Sequence, residues 1–214
     1  MGERTTLRFT AKLGATIERL LGERGLIPGE RLERLLELAR VLAEGGDRSL
    51  LFVCTHNSRR SHLGAIWAHA GARWFGMPRV RAYSGGTEST AFHPNAVGAV
   101  ERAGFLVTRG NGSLDRAENP VYEVRTGPLD EALPCFSKVY SDPPNPREGV
   151  IAVMVCASAD AACPVVPGAE ARFAIRYEDP KSADGTADEA RVYDERCAQV
   201  GREVLEVFRA ASAG

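Results

Sequence analysis

The sequence predicts an α/β protein with a mostly parallel sheet, and three features predict it. Leu50-Leu51-Phe52-Val53 and Val150–Val155 are short, continuous apolar runs, the pattern of strands buried on both faces. Helical segments stand between such runs: Ser61 to Phe75, stopped by Gly76, and Pro94 to Ala103, opened by proline and closed by Gly104. Strand and helix then alternate along the chain, as parallel strands with crossover helices require.

Residues 1–47 read as a separate helical extension. Leu32, Leu35, Leu36, Ala39 and Leu42 share one face at helical spacing, and Gly45-Gly46 stops that helix. Ile17, Leu20 and Leu21 mark a shorter helix before Gly25 and Pro28, so the extension is expected to be a hairpin, either packed on the main domain or serving as a dimerisation arm. Residues 48–214 form the α/β domain. Its further strands are expected at Val80–Ser84, before the turn Gly85-Gly86, and at Arg172–Tyr177. Thr186 and Glu189 have the spacing of a capping box, with the last helix running on to about Ala211. Residues 108–148 break the rhythm. They are rich in proline and hold the turns Asn111-Gly112, Asn119-Pro120 and Asn145-Pro146. They read as an insertion with short strands at Val121–Val124 and Phe136–Tyr140, fit to form a lid or a substrate wall.

Composition narrows the function. The 214 residues are 44% hydrophobic and 26% charged, enough for a sizeable core without disulfides or a structural metal. With 27 basic against 28 acidic residues, broad binding to nucleic acid or to an anionic membrane is not expected. There is no apolar run long enough for a membrane span and no secretory h-region at the start, so a cytoplasmic protein is expected. Five cysteines, an odd number, then read as reduced thiols.

The most informative stretch is Cys54-Thr55-His56-Asn57-Ser58-Arg59-Arg60-Ser61. Cys54 ends a buried strand, Arg60 follows after five residues, and a helix begins at Ser61. A tight loop before a helix N-terminus turns successive amides inward and adds positive potential, which suits a tetrahedral oxyanion held by residues 55 to 60. Arg60 can donate two parallel hydrogen bonds to such an anion. The same field favours the thiolate of Cys54, and the Ser61 hydroxyl is placed to donate to it. The plain alternative is a core cysteine beside a surface arginine.

This loop resembles the catalytic loop of low-molecular-weight protein tyrosine phosphatases and of the arsenate reductases built on the same fold, whose pattern is Cys-x-Gly-Asn-x-Cys-Arg-Ser. Cys54, Asn57, Arg60 and Ser61 match; His56 stands where glycine is usual and Arg59 where a second cysteine is usual. The first departure would strain the backbone if residue 56 needs a positive φ. The second adds a charge beside the anion site. Val155-Cys156 through Cys163-Pro164 is similar to the redox segment of thioredoxin-coupled arsenate reductases, Tyr177-Glu178-Asp179-Pro180 to the segment with the general acid, and Tyr83–Thr87 to the stretch after the second strand. The resemblance implies a Rossmann-like, low-molecular-weight phosphatase-like parallel sheet flanked by helices. It covers roughly residues 48–107 and 149–212.

What it implies chemically is an enzyme that takes phosphate or arsenate through Cys54, with Asp179 as acid. Asp142-Pro143 is the competing Asp-Pro. Cys156 and Cys163 read as resolving thiols, with thioredoxin or a small thiol as reductant, or as inert thiols; the four histidines have no ligand-like spacing, so neither a metal nor another cofactor is expected. Cys197 reads as a small core residue, and Cys135 as inert or an alternative resolving thiol. His56 reads as a solvent-facing loop residue or as a helper in binding the anion, Tyr122, Phe136 and Tyr140 as packing residues or a pocket wall, and His62, His69 and His93 as helix residues. Arsenate reduction is the first expectation, phosphomonoester or phosphotyrosine hydrolysis the second, and an oxyanion sensor without turnover the third.

Overall fold

The computed structural model describes residues 8–110, 114–163 and 165–213. The chain order is α1 (Ala11–Gly22), α2 (Gly29–Ala43), β1 (Arg48–Cys54), α3 (Arg60–Trp74), β2 (Val80–Gly86), α4 (Pro94–Ala103), β3 (Leu106–Arg109), β4 (Tyr122–Arg125), β5 (Leu133–Cys135), β6 (Val150–Met154), α5 (Ala157–Ala162), β7 (Ala169–Ala174) and α6 (Glu189–Ser212). A short 3-10 turn, Pro180–Ala183, precedes α6.

Four strands form a parallel sheet in the order β2-β1-β6-β7. β1 is central because Leu50 to Cys54 are all buried and bring no polar side chain to either face. The chain places β2 on one side of β1 and returns to place β6 on the other. The carboxyl ends of β1 and β6 therefore form the switch point where such sheets bind ligands.

Helix α3 lies on β1 and β2, beneath α6. Ser61 to Ala72 are all buried, so the helix carries no solvent stripe and its apolar pattern is continuous. Gly64 makes this close layering possible: a Cβ there would lie 2.3 Å from the Phe52 ring. α6 packs in turn against α4 and the hairpin of α1 and α2, and Leu13, Ile17, Leu20, Leu35 and Leu42 join the same core as the sheet.

The segment after α4 forms a second, antiparallel sheet, β3-β4-β5. Phe136–Tyr140, expected to be a strand, is not one. Only Val139 makes a bridge, to Gly86, because this segment spends its backbone groups holding other loops. The expected strand at Arg172–Tyr177 begins earlier, at Ala169, and its extended hydrogen bonding continues through the amides of Ile175 and Tyr177 to the carbonyls of Met154 and Val155. The capping box does not form: Asp188 precedes α6 with no side-chain cap, Thr186 donates to the Ala183 carbonyl, and Glu189 accepts from the Gly185 amide. The turn Asn111-Gly112 and Pro164 lie outside the described residues.

Candidate active site

Cys54 is the last residue of β1 and is 3% exposed. After it the chain bends for five residues before α3 begins at Arg60, one residue earlier than expected. The carbonyls of this loop are pulled outward. Cys54 O accepts from the Thr87 amide, Thr55 O from the Glu88 amide, His56 O from the Ser137 and Thr90 hydroxyls, and Ser58 O from the His93 amide. None of the amides of Thr55 to Arg59 has an acceptor among the described residues. α3 adds an N-terminus with no side-chain cap. Amides without acceptors, a helix N-terminus and a sulfur on one short loop are an arrangement that can cradle an oxyanion.

Asn57 fixes its shape. It is fully buried and carries the positive φ, 42°, that the sequence raised for His56; asparagine tolerates this region. Its Nδ2 donates to Ser61 Oγ at 2.8 Å, and Ser61 Oγ lies 3.1 Å from Cys54 Sγ. Because Ser61 accepts from Asn57, its one hydroxyl proton is free for the sulfur, so a thiolate there gains a fixed donor. Asn57 Oδ1 accepts from the Lys138 amide at 2.9 Å. Asn57→Ala loses both bonds and the tolerance for positive φ. It is expected to cost about 2–4 kcal/mol of stability in urea unfolding, with activity falling alongside.

Arg60 bridges two segments. Nη1 donates to Tyr177 O at 3.1 Å and Nη2 to Asp179 Oδ2 at 2.6 Å, while Nε is buried with no partner among the described residues. Asp179, not Asp142, is the Asp-Pro residue that reaches this arginine. It starts the turn Pro180–Ala183 by accepting from the Lys181 amide. Arg59 departs from expectation. Its guanidinium does not face the cradle but pairs with Asp184 and Tyr193, leaving only its amide on the loop. His56 is half exposed, 3.6 Å from Glu88.

Cys156 follows β6, beside β1. It is 1% exposed, its Sγ accepts from the Ala159 amide at 3.3 Å as the cap of α5, and it lies 3.5 Å from Thr55 Oγ1. Cys163 closes the other end of α5. Seven helical steps separate the two by about 10 Å, beyond the reach of a disulfide. Arg172 donates to the Cys163 and Asp160 carbonyls and holds that end. Burial pushes the thiols of Cys135 and Cys197 up to about 12, which suits inert core residues. His62 is buried against Ser84 and Phe92, His69 pairs with Asp130, and His93 caps α4. Among the described residues, no group of three or more His, Cys, Asp and Glu could hold a metal ion, and no helix is long and apolar enough to cross a membrane.

Several contributors had no motif to announce them. Ser137 and Lys138 brace the loop from the segment after β5, and Asn119 holds Ser137 through both its amide atoms. Gly86 had a visible signal in Gly85-Gly86: a Cβ there would lie 2.6 Å from Thr55 O and 2.7 Å from Asn57 N, so only glycine lets β2 close against the loop.

No protein-family model matches the chain. Among curated proteins it is 25% identical over 151 residues to an arsenate reductase of Bacillus licheniformis, covering 70% of this chain and 86% of that one. It is 24% identical over 163 residues to an arsenate reductase of Bacillus subtilis, covering 75% and 94%. The chain is thus similar in sequence to curated arsenate reductases over more than two thirds of its length. Solved structures similar to it include a low-molecular-weight protein tyrosine phosphatase from T. tengcongensis, with TM-score 0.49, 16% identity and coverage of 76% of this chain and 98% of that one. A thioredoxin-dependent arsenate reductase from Corynebacterium glutamicum gives TM-score 0.42 and 17% identity, covering 84% and 70%.

Proposed function

We propose that this enzyme reduces arsenate. The Cys54 thiolate attacks arsenic held by the amides of residues 55 to 60 and by Arg60. An arsenic–oxygen bond breaks, and Asp179 protonates the departing oxygen. The Cys156 thiolate then attacks Cys54 Sγ. The sulfur–arsenic bond breaks, its electron pair goes to arsenic, and arsenite leaves as As(III) while Cys54 and Cys156 become a disulfide. The Cys163 thiolate attacks Cys156 Sγ and frees Cys54. A dithiol such as thioredoxin, or a small thiol, reduces the Cys156–Cys163 bond. α5 must unwind for the second exchange, since its intact turns keep the two sulfurs too far apart.

The observation that carries this reading is the position of Cys156: a buried thiol on the neighbouring strand end, in contact with the loop that begins at Cys54. Phosphomonoester hydrolysis, with phosphotyrosine as one such ester, is the second reading. It uses the same Arg60–Asp179 pair, and its thiolate attack and protonation of a leaving oxygen need nothing from Cys156. The test is NADPH consumption with arsenate, thioredoxin and thioredoxin reductase, beside release of p-nitrophenol from its phosphate ester. Arsenate-dependent NADPH consumption is the expected result. Ester hydrolysis without it would favour the second reading.

A further inference from the structure

We propose that Arg59 is a positioning residue that ties the anion loop to the segment carrying Asp179 and so sets the aim of that acid. Arg59 Nε donates to Tyr193 Oη at 2.6 Å, and Nη2 to Asp184 Oδ2 at 2.8 Å. Tyr193 Oη donates to Asp184 Oδ1 at 2.6 Å, closing a three-residue ring. Each member comes from a different place: the loop, the end of the 3-10 turn, and α6. Asp179 opens that turn and Asp184 closes it, and the Asp184 amide bonds Lys181 O within it. Fixing Asp184 therefore fixes Asp179 at the other end of the same short turn.

Arg60 cannot do this alone. It holds Asp179 now, but its donors are the ones a bound oxyanion takes. Once they turn to the anion, Arg59 remains as the loop side chain linked to the acid's segment. Its own charge is matched by Asp184, so it does not draw the anion away from Arg60. The ring also keeps one protonation state near neutral pH. Burial and the bond to Asp184 push Tyr193 up to about 12, against the pull of Arg59. Burial pushes Asp184 up, but its bonds to Tyr193 and Arg59 hold it below the usual carboxylate range. The His93 ring stacks on Tyr193 with centroids 5.8 Å apart, and its Nε2 lies 3.8 Å from Asp184.

The proposal rests on Asp179 being the general acid, and the test separates the two. Release of the phenol from phosphorus as Cys54 attacks is measured with p-nitrophenyl phosphate, whose leaving group needs little protonation, and with phenyl phosphate, whose leaving group needs much. Asp179→Asn is expected to slow phenol release about 100-fold and nitrophenol release far less. Arg59→Met should copy this skew at about tenfold, with Arg59→Lys between it and the parent, and with inhibition by inorganic phosphate within about twofold of the parent. Tyr193→Phe, which removes one hydroxyl and keeps the ion pair, should show the skew at a few-fold. Parent-like ratios in Arg59→Met or Tyr193→Phe overturn the proposal. So does an equal loss on both esters with weakened phosphate inhibition, which would make Arg59 part of the anion loop's own binding. Asp179→Asn without a skew overturns the acid reading, and the positioning role with it.

Discussion

Cys54→Ser is expected to lose arsenate reduction and aryl phosphate turnover together, by about 10⁴-fold or more. The substitution changes one atom at the centre of the cradle. Ser61 remains to donate, Asn57 still orients Ser61, and the loop carbonyls stay anchored to Thr87, Glu88, Ser137 and His93. What is lost is the nucleophile. A serine hydroxyl keeps its proton at neutral pH, and among the described residues the side chain bonded to residue 54 is the Ser61 hydroxyl, which is no general base. Binding of inorganic phosphate, measured by calorimetry, is expected to persist, because the amides of residues 55 to 59 and Arg60 are untouched. Turnover near the parent rate would show that Cys54 is not the attacking group.

Cys156→Ser is expected to bring thioredoxin-coupled arsenate turnover to background while nitrophenol release stays within about threefold of the parent. Cys156 sits at the cap of α5, where its sulfur accepts from the Ala159 amide. A serine oxygen is a better acceptor in that position, so the short helix and the 3.5 Å neighbourhood of Thr55 should survive. The missing step is sulfur chemistry. Without a second thiolate the arsenic–sulfur electron pair has no disulfide to be released by, and arsenite does not leave. Continued NADPH consumption would remove Cys156 from the relay and point to another thiol. Cys135 and Cys197 are poor substitutes, because burial holds both as protonated thiols.

Much of this site could be read along the chain because its parts are local. Cys54, Asn57, Arg60 and Ser61 occupy one turn of chain, and the buried run before them fixes β1. Pro94 and Gly104 mark α4 because they act on their own backbone. The misreadings share a different cause. Phe136–Tyr140 alternates like a strand, yet its amides serve Asn57 and Gly86, partners about 80 and 50 positions away that no local pattern records. Arg59 looked like a second anion ligand because its partners, Asp184 and Tyr193, lie more than a hundred residues downstream. Thr186 and Glu189 had capping-box spacing, but Thr186 donates to the Ala183 carbonyl of the preceding turn and Glu189 accepts from the Gly185 amide that follows it.

Arsenate added to Cys163→Ser without any reductant tests the relay most directly. With the second exchange blocked, peptide mapping should find Cys54 joined to Cys156, with arsenite released in equal amount. Arsenite formed with no disulfide, or a disulfide joining Cys54 to Cys135, would contradict it.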